Sequence, residues 1–121
     1  MAEQTIQIKR IYDPPSEDDG FRILVDRLWP RGVRKVDAHI DVWAKEIAPT
    51  TELRKWFDHD AGRFVEFSAR YTKELQANET LLNEILEQAG EQSITLLFAA
   101  RDLICNHAVV LRSHLKQFSP S

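Results

Sequence analysis

Two short polar stretches contain most of the residues whose side chains can bind anions or transfer protons. The first, VDRLWPRG over residues 25–32, contains Asp26, Arg27, Trp29 and Arg31. The second, ARDLICNH over residues 100–107, contains Arg101, Asn106 and His107. Guanidinium groups make paired, charge-assisted hydrogen bonds with phosphate and carboxylate oxygens. The two stretches therefore predict a site for an anionic ligand, bound by Arg27, Arg31 and Arg101.

His107 is the predicted acid–base residue of this site. It lies near the expected beginning of the last helix, where the positive end of the helix dipole favours a neutral imidazole. A neutral imidazole can accept a proton, as a general base does. Asp26 would orient His107 or pair with Arg27. Two simpler interpretations stand beside these: His107 as a partly buried histidine bonded to a carbonyl, and Asp26 as the counter-charge of an arginine.

Two further side chains complete the predicted site. Asn106 would orient the ligand. Trp29, with Pro30 after it, would form one wall of a pocket for a flat ligand, or would instead close the core after a strand. No metal site is predicted, because Cys105 is the one cysteine and the histidines lack the spacing of a ligand pair. No cofactor is predicted either, because the chain has no glycine-rich dinucleotide or phosphate loop.

These residues can meet only if the strands before them end at the same edge of a sheet. The alternating pattern over residues 5–11 predicts a first strand, and residues 21–28 predict a second. Residues 93–100, SITLLFAA, are apolar at nearly every position and predict a strand covered on both faces. Ligands collect beyond the carboxyl ends of parallel strands. If the second strand and this last one are parallel neighbours, the three arginines share a rim.

Helices are predicted between and after these strands. Thr50 is placed to cap a short helix through Trp56, and Asp58 or Asp60 to cap the next. A further helix begins at Asn78 and ends at Gly90. The last helix begins between Leu103 and Asn106 and runs to about Gln117. The pattern predicts an α/β protein with one domain over residues 1–121, a small, mostly parallel sheet flanked by helices, and a strand order that does not follow from the sequence.

The composition is that of a globular protein, with 43% hydrophobic and 29% charged residues. The formal net charge is −3, from 16 basic and 19 acidic residues, so attraction of the whole molecule to nucleic acid is not expected. No apolar run is long enough to cross a membrane, and the first residues lack the apolar core of a secretion signal. With a single cysteine, these features lead us to expect a cytoplasmic protein without a membrane partner. They do not indicate an oligomeric state.

Four motifs, VDRLWPRG, WAKEIAPTTELRKWF, LLFAARD and NHAVVL, resemble in order and spacing those of the YeaO-like bacterial proteins, a large family catalogued as a domain of unknown function. The resemblance extends from about Ile6 to Leu115. It implies a compact cytosolic α/β domain with no established reaction, and it marks motif positions without roles: Asp26, Arg27, Trp29, Pro30, Arg31, Gly32, Arg54, Asn106 and His107. Longer relatives carry Cys-His-Arg where this chain has Asn106-His107-Ala108. The resemblance therefore implies that the thiol and the following arginine of those relatives are missing here, which argues against thiol nucleophilic chemistry.

Three functional hypotheses follow from these residues. The first is a small enzyme acting on an anionic substrate such as a nucleotide or phosphoester. The second is a binding module in which the same arginines hold a nucleotide or a nucleic-acid phosphate without chemistry. The third is an interaction domain in which the arginines only brace loops, so that replacing Arg27 by alanine mainly lowers stability.

Overall fold

The computed structural model describes residues 5–117, in which four parallel strands form one sheet of order β1-β4-β2-β3. The strands are β1 (Ile6–Arg10), β2 (Phe21–Leu24), β3 (Val42–Trp43) and β4 (Ile94–Phe98). Every neighbouring pair is parallel. The predicted α/β fold with a mostly parallel sheet flanked by helices is therefore confirmed.

The central strand is β4, and all five of its residues are buried. It pairs with β1 on one side and with β2 on the other, where Leu97 lies opposite Leu24. Side chains on its two faces enter different clusters. Leu96 belongs to the larger cluster, with residues of the four longest helices, whereas Leu97 packs with Leu24 and Ala38 on the other face. This two-sided burial explains why four of its five residues are apolar; the fifth, Thr95, is buried with its hydroxyl hydrogen-bonded to the Asp19 carbonyl.

Strand β2 is shorter than its predicted range of 21–28. The polar side chain of Asp26 explains the difference, because its Oδ2 accepts a hydrogen bond of 2.9 Å from the Ala99 backbone N–H. The Asp26 carboxylate accepts the hydrogen bond that a backbone carbonyl of β2 would accept in a regular parallel pair. The strand β2 therefore ends at Leu24. The same bond ties the loop after β2 to the loop after β4.

The helices are α1 (Lys35–Ala38), α2 (Thr51–Phe57), α3 (Phe64–Ala77), α4 (Glu79–Ala89) and α5 (His107–Gln117). Thr50 caps α2 as predicted, accepting a hydrogen bond from the Leu53 N–H. Asp60 caps a short 3-10 turn that leads into α3, rather than α3 itself. Among residues 5–117, no helix combines the length and apolar character that crossing a membrane requires.

A buried ion pair supports the amino end of β2. Asp19 and Arg22 are 2% and 4% exposed, and they contact each other directly. Lys9 adds a second cation, with its Nζ 3.2 Å from Asp19 Oδ1. Burial raises the pKa of the Asp19 carboxyl, but the Ser16 N–H, Lys9 and Arg22 together outweigh it and hold that pKa below 3.8. Asp19 is therefore ionised in the folded protein at neutral pH.

A candidate anion-binding cleft at the carboxyl end of the sheet

A cleft of about 1000 Å³ opens where β2 and β4 end. Its walls come from the loop after β2, the loop after β4, and α2 with the residues flanking it. The predicted site residues all line it: Asp26, Arg27, Trp29, Arg31, Arg101, Asn106 and His107. They come together because β2 and β4 are parallel neighbours, the condition on which the sequence-based prediction depended.

Asp26 approaches His107 rather than Arg27. The His107 Nε2 lies 2.9 Å from Asp26 Oδ1 and 3.1 Å from the Val25 carbonyl oxygen. Since both neighbours are acceptors, this nitrogen carries a proton, and its N–H is directed at the carbonyl. Asp26 Oδ1 therefore gains an electrostatic contact without a well-directed hydrogen bond. The tautomer with hydrogen on Nε2 leaves Nδ1 as the nitrogen that can accept a hydrogen bond.

The guanidinium group of Arg27 is occupied by the backbone. Its Nε donates to the Pro49 carbonyl and its Nη2 to the Ala48 carbonyl, each at 3.0 Å. These carbonyls immediately precede the residue that caps α2, so Arg27 holds the beginning of that helix against the sheet. Arg10 makes a matching pair of bonds to the Ala99 and Ala100 carbonyls. Both arginines position segments that line the cleft.

Trp29 and Asn106 also make structural contacts. The Trp29 Nε1 donates to the Val33 carbonyl at 2.7 Å, and its ring meets Trp43 edge to face with centroids 5.4 Å apart. Asn106 is 1% exposed and caps α5, accepting from the Val109 N–H while its amide donates to the Asp102 carbonyl. The side-chain oxygen and nitrogen of Asn106 are thus both engaged, in agreement with a positioning role at the cleft wall.

Four cations that line the cleft point to ligand binding more directly. Arg31, Arg54, Lys55 and Arg101 are exposed. Within residues 5–117, their side chains form no hydrogen bond or ion pair. Arg31 and Arg101 were among the predicted ligand-binding residues, whereas Arg54 and Lys55 were not. The signal available for Arg54 was its motif position; the placement of α2 beside the loops after β2 and β4 is a tertiary feature.

The acidic side chains of the cleft are fewer than the cationic ones, and two of the three already contact other groups of the protein. Asp102 Oδ1 accepts hydrogen bonds from the Cys105 and Ile104 N–H groups, and these hold the pKa of its carboxyl below 3.8. Asp26 faces His107. Asp58, at the end of α2, is the third carboxylate in the lining. Across the residues that the structure describes, no group of three or more His, Cys, Asp or Glu side chains is arranged to hold a metal ion.

The fold and the cleft define a small parallel α/β protein with a cation-lined cavity beyond the carboxyl ends of its strands. Residues 5–119 match the family described as the "Inactive DUF488-N3 subclade", and the chain belongs to this family. The resemblance to the YeaO-like proteins is confirmed by the same match and by the sequence relatives.

The relatives cover nearly the whole chain. The uncharacterized protein YeaO of Escherichia coli strain K12 is 46% identical over 111 residues, which are 92% of this chain and 96% of that protein. The uncharacterized proteins Mb3100c of Mycobacterium bovis and Rv3073c of Mycobacterium tuberculosis are each 40% identical over 111 residues, covering 92% of this chain and 93% of theirs. No solved structure matches the chain.

Proposed function

We propose that this protein binds a phosphate-bearing or other anionic small ligand in the cleft and performs no chemistry on it. One observation carries the proposal: four exposed cations, Arg31, Arg54, Lys55 and Arg101, line a single cavity and make no ion pair among the described residues. Cations gathered in a cleft produce a positive electrostatic potential, which raises the local concentration of anions there. Three of the four are arginines, which suit the paired oxygens of phosphate.

The hydrogen bonds that Arg10 and Arg27 make to the backbone around the cleft support the same function. Arg10 and Arg27 hold the backbone just before Arg101 and just before α2, which carries Arg54 and Lys55. A cleft whose cation-bearing segments are held in advance loses less conformational entropy when the ligand binds. The size of the cavity is at the upper end of the range for small-molecule sites.

A second candidate, acid–base catalysis on the bound ligand, is favoured by the contact between His107 and Asp26. With hydrogen on the nitrogen that faces Asp26 and the Val25 carbonyl, Nδ1 keeps its lone pair, so the contact itself is compatible with a general base. The family description, with its word "inactive", favours binding alone.

The test is a thermal-shift and calorimetric titration with inorganic phosphate, pyrophosphate, AMP and a short oligothymidylate. A ligand at a hundred times its Kd adds about 2.7 kcal/mol, which raises Tm by several degrees in a domain of this size. We expect Arg54→Ala and Arg101→Ala to weaken binding about tenfold or more. Lys73→Ala, which removes an exposed cation of α3 outside the cleft, serves as the matched control and keeps wild-type affinity.

Two results would contradict the proposal. If the wild-type protein binds none of these probes, an anion site is excluded. Turnover of a bound phosphoester that His107→Gln abolishes, with affinity retained, would replace binding alone by acid–base catalysis.

A further inference from the structure

Most of the large exposed apolar side chains among residues 5–117 lie on the loops around the cleft. Six large apolar residues are exposed within residues 5–117: Tyr12, Leu28, Val36, Val65, Leu103 and Ile104. Four of the six follow the carboxyl ends of β1, β2 and β4, on the loops that surround the cavity. Tyr12 and Leu28 line the cleft directly, and Leu103 and Ile104 lie between two lining residues, Asp102 and Cys105.

The aliphatic members of this group are well exposed. Leu28 is 64% exposed, Leu103 61% and Ile104 75%. We call these three residues the aliphatic rim. Single exposed apolar residues need no explanation, but these three share the loops around one cavity with unpaired charges, a combination that favours a surface covered by another molecule.

We propose that the cleft and its aliphatic rim bind an acidic segment of a partner polypeptide, whose carboxylate or phosphate groups enter the cleft while its apolar side chains cover Leu28, Leu103 and Ile104. This inference rests on the proposed anion site and extends its ligand from a small free anion to an acidic group carried by a polypeptide. Charge complementarity favours this occupant. The unpaired cations Arg31, Arg54, Lys55 and Arg101 attract negative charge, and aliphatic side chains of the same partner would bury the rim.

The chemistry of the rim favours a polypeptide over nucleic acid. Single-stranded nucleic acids gain much of their affinity by stacking successive bases on aromatic side chains. The three rim residues are aliphatic, and one face of the Tyr12 ring is taken by Arg10, 4.9 Å from its centroid. A polypeptide can supply carboxylates and aliphatic side chains together.

The charge of the rim disfavours an anionic membrane surface. Asp102 lies between Arg101 and Leu103 in the chain, is exposed, and is ionised at neutral pH because the Cys105 and Ile104 N–H groups lower the pKa of its carboxyl. Inserting Leu103 and Ile104 among anionic headgroups would bring this carboxylate against like charge. A peptide can instead place its acidic groups at the cations of the cleft and away from Asp102.

The experiment measures fluorescence anisotropy with two labelled peptides. One carries a run of glutamates flanked by leucines, and the other has serine in place of each leucine. We expect the wild-type protein to bind the leucine peptide about tenfold more tightly, because burying aliphatic surface adds to the charge contacts. The double variant Leu103→Ser/Ile104→Ser should lose that preference. Val65→Ser, which removes an 85% exposed side chain of α3, is the matched control and should keep it.

The other outcomes separate this inference from the proposed function. If pyrophosphate binds the wild-type protein and not Arg54→Ala, but the two peptides bind equally, the anion site stands and the polypeptide partner is excluded. If oligothymidylate, or vesicles of phosphatidylcholine and phosphatidylserine, bind more tightly than the leucine peptide, the partner is not a polypeptide. If none of phosphate, pyrophosphate, AMP, oligothymidylate and the two peptides binds, both proposals fail.

Discussion

The arginines around the cleft differ in what their guanidinium groups contact. Arg27 donates to two successive carbonyls, those of Ala48 and Pro49, and is half-buried. Arg31, four residues further along, is exposed, and its side chain makes no hydrogen bond or ion pair among residues 5–117. Two arginines of one motif therefore have different roles: the first stabilises the fold, and the second is available to a ligand.

Replacing these two arginines by alanine should separate the roles. Arg27→Ala leaves two carbonyls without their charged donor, so we expect the free energy of unfolding to fall by about 2 kcal/mol. Arg31→Ala should change it by no more than about 0.5 kcal/mol, as is usual for an exposed site, while weakening anion binding. Urea denaturation and phosphate titration of both variants make the comparison. Equal stability of the two variants would contradict a bracing role for Arg27.

At the scale of the elements, the beginning of β2 depends on a close contact with the segment before β4. The Phe21 N–H donates to the Ser93 carbonyl at 2.7 Å. Gly20, immediately before β2, has a φ of +65°. A Cβ on Gly20 would lie 2.2 Å from the Ser93 carbonyl oxygen, which is backbone and cannot turn away. The approach of these two segments therefore requires a residue without a side chain.

Gly20→Ala should destabilise the protein by about 3 kcal/mol, since it adds a steric clash to an unfavourable φ. Gly90→Ala is the matched control. Gly90 ends α4 with a φ of +61°, but a Cβ there would meet nothing within 4 Å. Only the backbone penalty then applies, about 2 kcal/mol for a non-glycine residue at φ +61° and ψ −128°. Thermal and urea unfolding would measure both, and a cost for Gly20→Ala no larger than that for Gly90→Ala would exclude the clash.

For the whole molecule, the buried pair of Asp19 and Arg22 links stability to pH. The pKa of Asp19 in the folded protein lies below the ordinary 3.8, despite burial, because the Ser16 N–H, Lys9 and Arg22 stabilise its ionised form. A lowered folded-state pKa contributes stability that is fully present above the unfolded-state pKa and is lost as the pH falls through the folded-state value. Asp102, whose pKa is lowered by two backbone N–H groups, acts in the same direction.

Asp19→Asn should lower the free energy of unfolding at neutral pH by about 3 kcal/mol, because Arg22 stays buried without its partner. The difference from the wild-type protein should shrink as the pH falls below 3.8, because there the unfolded wild-type chain takes up a proton at Asp19 more readily than the folded protein, whose Asp19 pKa is lower. Asp37→Asn breaks an exposed pair, with Arg34 and Asp37 side chains 77% and 60% exposed, and should cost less than about 1 kcal/mol. Urea unfolding across this pH range is the measurement, and a pH-independent difference for Asp19→Asn would contradict the linkage.

The sequence by itself determined the local features of this protein. The apolar run of β4, the Thr50 cap of α2 and the end of α4 at Gly90 all follow from neighbouring residues, and all are present in the structure. The motif residues also indicated which loops would gather, because loops after parallel strands collect at one edge of the sheet. Propensity, capping and hydrophobic pattern act over a few residues, and a single sequence contains that information directly.

Only the tertiary structure decided how these elements meet. The order β1-β4-β2-β3 places the last strand at the centre, between strands far from it in the chain, and such pairings leave little trace in local sequence. The position of α2 beside the cleft, which adds Arg54 and Lys55, depends on that assembly. Which backbone carbonyls each guanidinium group can reach also depends on that assembly. Arg27 and Arg31 have the same chemistry, and what each can bind was settled by which carbonyls the fold brought within reach.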